Sequence, residues 1–342
     1  MGSTRINRLV AVALILSSVF VTLIGFEYFL TWENSFEPYP ASRLAIEGKD
    51  YLFEYPVQNL FDESRPESKK PKLYVVGDSF VAGLACAKRQ QDLSGHLQRL
   101  IGDTVEVVNL GVGGKDPSNY IDVLTYFPVR KGDKVVVVLY DNDIHMSRES
   151  CELATRQEKN WPVYVPTFCD SLISNRSVPK DEEGFWRHAN QIVKRYKTFE
   201  LLKEAIANLP YVSNWLYRSE YVSRWSDFDS EENRWIVSTI PVMKDIAEKR
   251  GAQFLLVYYP NTNAISSDDR RHKIWLSFIE HVFQTTQIRI DDPYPFFIQN
   301  ARRRSMVWSL TDKHPSCDAH SIMAQYLYKL IYVSRNTPSR LH

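Results

Sequence analysis

The spacing of apolar positions changes period several times along the chain. Residues 9–26 form an apolar run that no charge interrupts, and Arg5 and Arg8 stand before it with no acid beside them. With the aromatic exit Glu27-Tyr28-Phe29-Leu30, residues 9–30 are long enough to cross a bilayer as a helix, which takes about 20 residues. Basic flanks stay on the cytoplasmic side, so residues 1–8 are predicted inside and everything after the helix outside, in the periplasm or the extracellular space. No small-x-small pattern follows the run, which favours an uncleaved single-pass signal anchor over a removable signal peptide. Residues 31–71 are polar and contain prolines, and read as a linker and lead-in.

From residue 72 the pattern alternates between strand and helix. Residues 73–76 are a short β-branched run ending in Gly77-Asp78-Ser79, and helical spacing follows over 80–100. Residues 105–110 predict a second strand, closed by Gly111-Val112-Gly113-Gly114, and Asp116-Pro117-Ser118 opens another helix. Residues 135–140 are apolar throughout, as in a strand buried on both faces of a parallel sheet. The rhythm breaks over residues 145–230, an insert with no clean strand but with Trp161, Tyr164, Trp186, Tyr196, Trp215 and Trp225. It resumes with a helix over 232–250, a strand over 254–259, a helix over 269–283, a short strand over 288–290 and a last helix over 318–333. Such alternation predicts an α/β domain over 72–342, a parallel sheet with helices on both faces. Ligand sites in such sheets lie beyond the carboxyl ends of the strands.

Composition narrows the function classes. Of 342 residues 44% are hydrophobic and 24% charged, ordinary for a chain that buries a core, and a net charge of +1 leaves no electrostatic footprint for nucleic acid. No group of His, Cys, Asp and Glu has convincing metal-ligand spacing, so a metal enzyme built on Asp78, Asp141 and Asp143 ranks last and no cofactor is expected. Cys86, Cys151, Cys169 and Cys317 can form disulfides outside the cytoplasm, in any of three pairings, or can stay reduced in the core.

Three strand ends carry unusual residues. Ser79 follows the first strand at the start of a helix, where developing negative charge is favoured. The glycines after the second strand let backbone N–H groups approach a ligand. Asp141-Asn142-Asp143 follows the third, and Asp312-Lys313-His314-Pro315 precedes the last helix. Taken singly, each has a bland reading: an N-cap serine, a turn, a satisfied Asn, a solvated His. Their order and placement together are hard to reproduce by chance.

In these blocks the chain resembles the SGNH/GDSL hydrolases: Val76-Gly77-Asp78-Ser79-Phe80, Asn109-Leu110-Gly111-Val112-Gly113-Gly114, Asp141-Asn142-Asp143 and Asp312-Lys313-His314-Pro315, spread over residues 72–333 apart from the insert. The resemblance implies a flavodoxin-like three-layer α/β/α fold and the hydrolysis or transfer of acyl groups on oxygen. It implies Ser79 as nucleophile, His314 as its base and Asp312 as the acid that orients the imidazole. An oxyanion hole would come from the Ser79 amide, the Gly114 amide (with Gly113 second) and the Asn142 side chain. Two departures from the family pattern stand out. Asp312 lies two residues before His314 where three is common, which leaves Asp291 and Asp292 as reserves. Asp141 stands where the family often has another residue, and its carboxylate must turn away from the oxyanion or be neutralised. The resemblance also makes the flanks of Ser79 and His314 neighbours, and with that come the pairings Cys86–Cys317 and Cys151–Cys169.

An exported and anchored member of this kind implies action on O-acyl, above all O-acetyl, esters of a cell-envelope glycan. The insert's aromatics suit a sugar or an acyl chain, or form the insert's own core. An O-acetyltransferase, a lipase or thioesterase, and a non-catalytic binding protein on the same fold are the other readings.

Overall fold

The computed structural model describes residues 42–46, 49–53, 61, 69–83, 86, 89–144, 146–174, 225–260, 269–301 and 314–333. All belong to one folded unit made of Pro38–Arg176 and Trp215–His342. The elements, in chain order, are β1 (Ser42–Ile46), β2 (Lys49–Phe53), β3 (Lys72–Gly77), α1 (Ser79–Ala82), α2 (Leu93–Ile101), β4 (Glu106–Gly111), α3 (Pro117–Tyr126), β5 (Lys134–Leu139), α4 (Arg148–Gln157), α5 (Phe168–Ser174), α6 (Glu231–Lys249), β6 (Gln253–Tyr258), α7 (Asp269–Thr286), β7 (Ile290–Asp291), α8 (Tyr294–Asn300) and α9 (Cys317–Tyr328). A π-helical turn, Lys329–Val333, continues α9.

Strands β3 to β7 form one parallel sheet in the order β4-β3-β5-β6-β7. Counted from its first strand this is 2-1-3-4-5, the flavodoxin-like doubly wound order. Successive strand residues point to opposite faces, and both faces are covered. Tyr74, Val76, Val135, Val137 and Leu139 pack with α3, α4, α6 and α7, while Leu73, Val75, Val136 and Val138 pack with α1, α2, α8 and α9. The result is the expected three-layer α/β/α arrangement. Each fully buried Val, Leu or Tyr-sized side chain contributes roughly 1.5–3 kcal/mol relative to exposure, which fits the buried Leu73, Tyr74, Val75 and Val76 of β3 and the four valines and Leu139 of β5.

Several elements depart from the sequence pattern. The helix expected over 80–100 is broken. Gly83 caps α1 in the left-handed region at φ 78°, and Asp92 caps α2 by accepting from the Gly95 amide at 2.6 Å. A Cβ on Gly83 would stand 2.5 Å from the Asp92 Cβ, so the chain folds back on itself here and needs a residue without one. The segment read as a linker contains the antiparallel hairpin β1–β2, paired from Ser42↔Phe53 to Ile46↔Lys49. Helix α8 has no counterpart in the sequence pattern; Pro293 stands at its N-cap and Pro295 in its first turn, where Pro is tolerated. Among the described residues no helix is long and apolar enough to cross a membrane. Residues 9–30 lie outside them.

Candidate active site

The order reversal in the sheet falls between β3 and β5, which both pair directly with each other and diverge to β4 and β6. The crevice beyond their carboxyl ends is where doubly wound folds hold their ligands. Two of the predicted residues stand there: Ser79 opens α1 after β3, and Asn142 sits in the 3-10 turn Asp141–Ile144 after β5.

Glycines set how closely this corner packs. A Cβ on Gly111, the last residue of β4, would fall 2.2 Å from the Ala82 amide nitrogen, and one on Gly77 would fall 2.4 Å from the Val81 side chain. The short helix behind Ser79 therefore lies directly on two strand ends. Asn109 fastens it: its side-chain amide donates to the Val81 carbonyl at 2.8 Å, and its Oδ1 accepts from the Gly111 amide at 2.9 Å. Gly114 occupies the exposed turn after β4 with φ 69°, and a Cβ there would meet nothing within 4 Å.

Asp78 joins the pieces. Its Oδ1 accepts from the Phe80 amide at 2.8 Å and so caps α1. Its Oδ2 accepts from Asn142 Nδ2 at 3.0 Å and lies 3.4 Å from the Ser79 hydroxyl. One carboxylate thus touches both the predicted nucleophile and a predicted oxyanion donor. The Asn142 amide nitrogen carries a second hydrogen, available to a substrate oxygen. Ser79 keeps 9% of its surface exposed, enough for contact with a small acyl group and little for bulk water.

His314 lies against the same corner. Its ring is 5.3 Å from the Phe80 ring, centre to centre and tilted by 36°. Tyr140 also stacks on Phe80, at 3.5 Å between ring centres. A positive His314 would act on Asp78: burial raises the Asp78 pKa, while the Phe80 amide, Asn142 and the charge of His314 oppose that rise. Asp312 lies outside the described residues. Of the reserve acids, Asp292 pairs with His272 Nε2 at 2.7 Å and Asp291 faces Arg289 at 3.3 Å.

Asp141 is engaged by side chains of β6 and α7 and by the insert. Its Oδ1 accepts from Tyr258 at 3.2 Å and from Trp275 Nε1 at 2.5 Å, and its carbonyl accepts from Trp225 Nε1 at 2.8 Å. Trp225 is buried with Trp275, at 4.3 Å between ring centres, so this insert aromatic belongs to the core rather than to a sugar platform. Trp186, Tyr196 and Trp215 lie outside the described residues. Beneath Asn142, Asp143 is buried; its Oδ2 accepts from the Tyr140 amide at 2.7 Å and its Oδ1 lies 2.8 Å from the Tyr120 hydroxyl. Burial, with the Asp78 charge added, pushes the Asp143 pKa well up.

Both disulfides form as expected, Cys86–Cys317 with Cα atoms 5.5 Å apart and Cys151–Cys169 at 5.2 Å. Among the described residues no group of His, Cys, Asp and Glu could hold a metal ion. Sequence reading missed Asp78 as the shared acceptor, Phe80 as the shelf for His314, and Asn109 as the fastener. Only Asn109 had a local signal, an Asn two residues before a glycine that can bond its own backbone.

No protein-family model matches the chain, and no curated protein matches it. Solved structures to which it is similar include TesA, at 14% identity over 76% of this chain and 98% of that one, with a TM-score of 0.41. A member of the lipolytic G-D-S-L family from Veillonella parvula is 9% identical over 76% of this chain and 97% of that one, with a TM-score of 0.39. A carbohydrate acetylesterase family member from Sinorhizobium meliloti is 11% identical over 78% of this chain and 100% of that one, with a TM-score of 0.35. At such values the functional reading stands on this chain's own residues, Ser79, Asp78, Asn142 and His314.

Proposed function

We propose that the protein is a serine-dependent ester hydrolase of the SGNH/GDSL type. The observation that carries this reading is the corner at the switch point, where Ser79 and Asn142 share one acceptor, Asp78, and the His314 ring rests on the neighbouring Phe80. In the reaction, His314 takes the Ser79 proton as Oγ attacks the ester carbonyl, and later returns a proton to the leaving alcohol. The tetrahedral oxyanion is met by the Ser79 amide, by the free N–H of Asn142 and by the Gly114 amide. Each such donor is typically worth about 3 kcal/mol of barrier. Asp312 orients the imidazole. Water then repeats the sequence on the acyl-enzyme, with His314 as base.

The substrate class is an O-acyl ester, O-acetyl above all, on a cell-envelope glycan. What supports it is the apolar segment 9–30 with its basic flank, which would tether the catalytic domain outside the cytoplasm, together with the motif resemblance. The test is labelling with a fluorophosphonate probe and release of acetate or p-nitrophenol from model esters. Wild type labels and turns over, while Ser79→Ala does neither and His314→Ala loses turnover. Equal labelling of wild type and Ser79→Ala, or none of wild type, would reduce the protein to a binding module.

A further inference from the structure

Ser79 and His314 come from opposite ends of the domain, and the Cys86–Cys317 disulfide spans a sequence separation of 231. Its two ends are placed unusually. Ser79 starts α1; the Gly83 amide donates to the Ser79 carbonyl at 3.2 Å, and the Cys86 amide donates to the Gly83 carbonyl at 3.0 Å. Cys86 is thus bonded back to the residue that closes α1, and its side chain is buried. On the other side His314 is followed by Pro315, then Ser316, which caps α9 by accepting from the Ala319 amide at 3.2 Å, then Cys317. The buried face of α9 begins only at Ala319 and His320. His314 thus precedes α9 and its packed part; between the two, Pro315 is buried and Cys317 is the covalent anchor.

We infer that the Cys86–Cys317 disulfide is a positioning element of the catalytic pair, holding His314 in reach of Ser79, and not only a cross-link that stabilises the fold. The inference rests on the reading of Ser79 and His314 as nucleophile and base. A disulfide that merely restricts the denatured chain raises stability wherever it closes a loop. One that positions the pair sets the rate of proton transfer, because a misplacement of about 1 Å at a reacting group costs on the order of 10²-fold. The second disulfide is a built-in comparison: Cys151–Cys169 ties α4 to α5, and both cysteines belong to the sheet face opposite α1 and α9.

The experiment compares the full-length Cys86→Ala/Cys317→Ala and Cys151→Ala/Cys169→Ala variants with wild type, on p-nitrophenyl acetate, well below the melting temperature of each. Expected for the first pair is a fall in kcat of roughly 10–100-fold with KM little changed, and an equal fall in the rate of fluorophosphonate labelling of Ser79. The second pair lowers the melting temperature but keeps kcat. A Cys86→Ala/Cys317→Ala protein that melts earlier yet turns over like wild type overturns the inference. Should that variant not fold, the Cys151→Ala/Cys169→Ala protein reduced under native conditions with a phosphine, which then opens Cys86–Cys317, gives the same two answers, its fold checked by near-UV circular dichroism. Ser79→Ala separates the two readings. If it is inactive while the disulfide variant is fully active, only the positioning role fails; if it stays active, the serine mechanism fails and takes the positioning role with it.

Discussion

Replacing Asp78 by Asn tests whether one buried carboxylate aims the oxyanion hole. The substitution keeps shape and removes one acceptor. If the remaining oxygen stays on the Phe80 amide, now at 2.8 Å, the new NH2 meets Asn142 Nδ2 at 3.0 Å, donor against donor. If the amide flips, the cap of α1 is lost instead. In either case Asn142 or Ser79 loses its present geometry. An oxyanion donor is worth about 3 kcal/mol, so kcat falls on the order of 100-fold for Asp78→Asn, and by a similar factor for Asn142→Ala. The informative quantity is the double variant. If Asp78 works through Asn142, Asp78→Asn/Asn142→Ala is barely slower than Asn142→Ala, a coupling near the full ~3 kcal/mol. Turnover of p-nitrophenyl acetate by all four proteins gives the cycle, with thermal melting to show that each is folded. A double variant whose loss is the product of the two single losses refutes the shared role.

Two other outcomes follow from the packing and the charges. Gly111→Ala would drive a Cβ to 2.2 Å from the Ala82 amide, where backbone must yield, so it lowers stability by about 1–3 kcal/mol and slows probe labelling of Ser79; an unchanged melting temperature would mean that α1 does not rest on β4 as described. Asp116, the cap of α3, is pushed by burial from 3.8 to about 6. Its folded pKa is raised, so its stabilisation is complete below 3.8 and is lost as pH climbs through 6. That loss is about 3 kcal/mol, and Asp116→Asn should gain that much on wild type between pH 4 and pH 7 in urea unfolding. A gap that does not change with pH refutes it.

What could be read in the sequence was what depends on neighbours in the chain. Val135 to Val138 announce a strand because alternate residues fill both hydrophobic layers, and Ser79, Asn142 and His314 announce themselves by where they stand relative to strands and helices. The broken helix was illegible because its cause is the approach of Gly83 to Asp92, nine residues further along the chain. The fate of Asp141 was equally hidden. Its partners Tyr258 and Trp275 lie 117 and 134 residues away, so sequence could state only that the carboxylate had to be turned aside or neutralised. Whether Trp225 lined a pocket or filled a core stayed open for the same reason, since its contact with Trp275 joins segments that no local pattern connects.

An oxyanion hole tolerates little surplus negative charge, yet Asp78 and Asp143 are both buried beside the one proposed. The geometry around Asp143 resolves part of the conflict. The Tyr120 hydroxyl lies between Asp143 Oδ1 and the Lys115 carbonyl, at 2.8 and 3.3 Å. A neutral Asp143 can therefore donate to Tyr120, which passes its own hydrogen to Lys115, and the raised pKa of Asp143 agrees with that form. One anion then remains, Asp78, 3.4 Å from the Ser79 hydroxyl. In the proposed reaction, positive charge appears on His314 and negative charge on the substrate oxygen as the tetrahedral intermediate forms. Asp78 attracts the first and repels the second, and the two Coulomb effects offset each other in part. Its hydrogen bond to Asn142 has no such counterweight. The larger share of what Asp78 contributes should therefore come from aiming that amide, which is why coupling to Asn142, rather than the size of the single loss, decides its role.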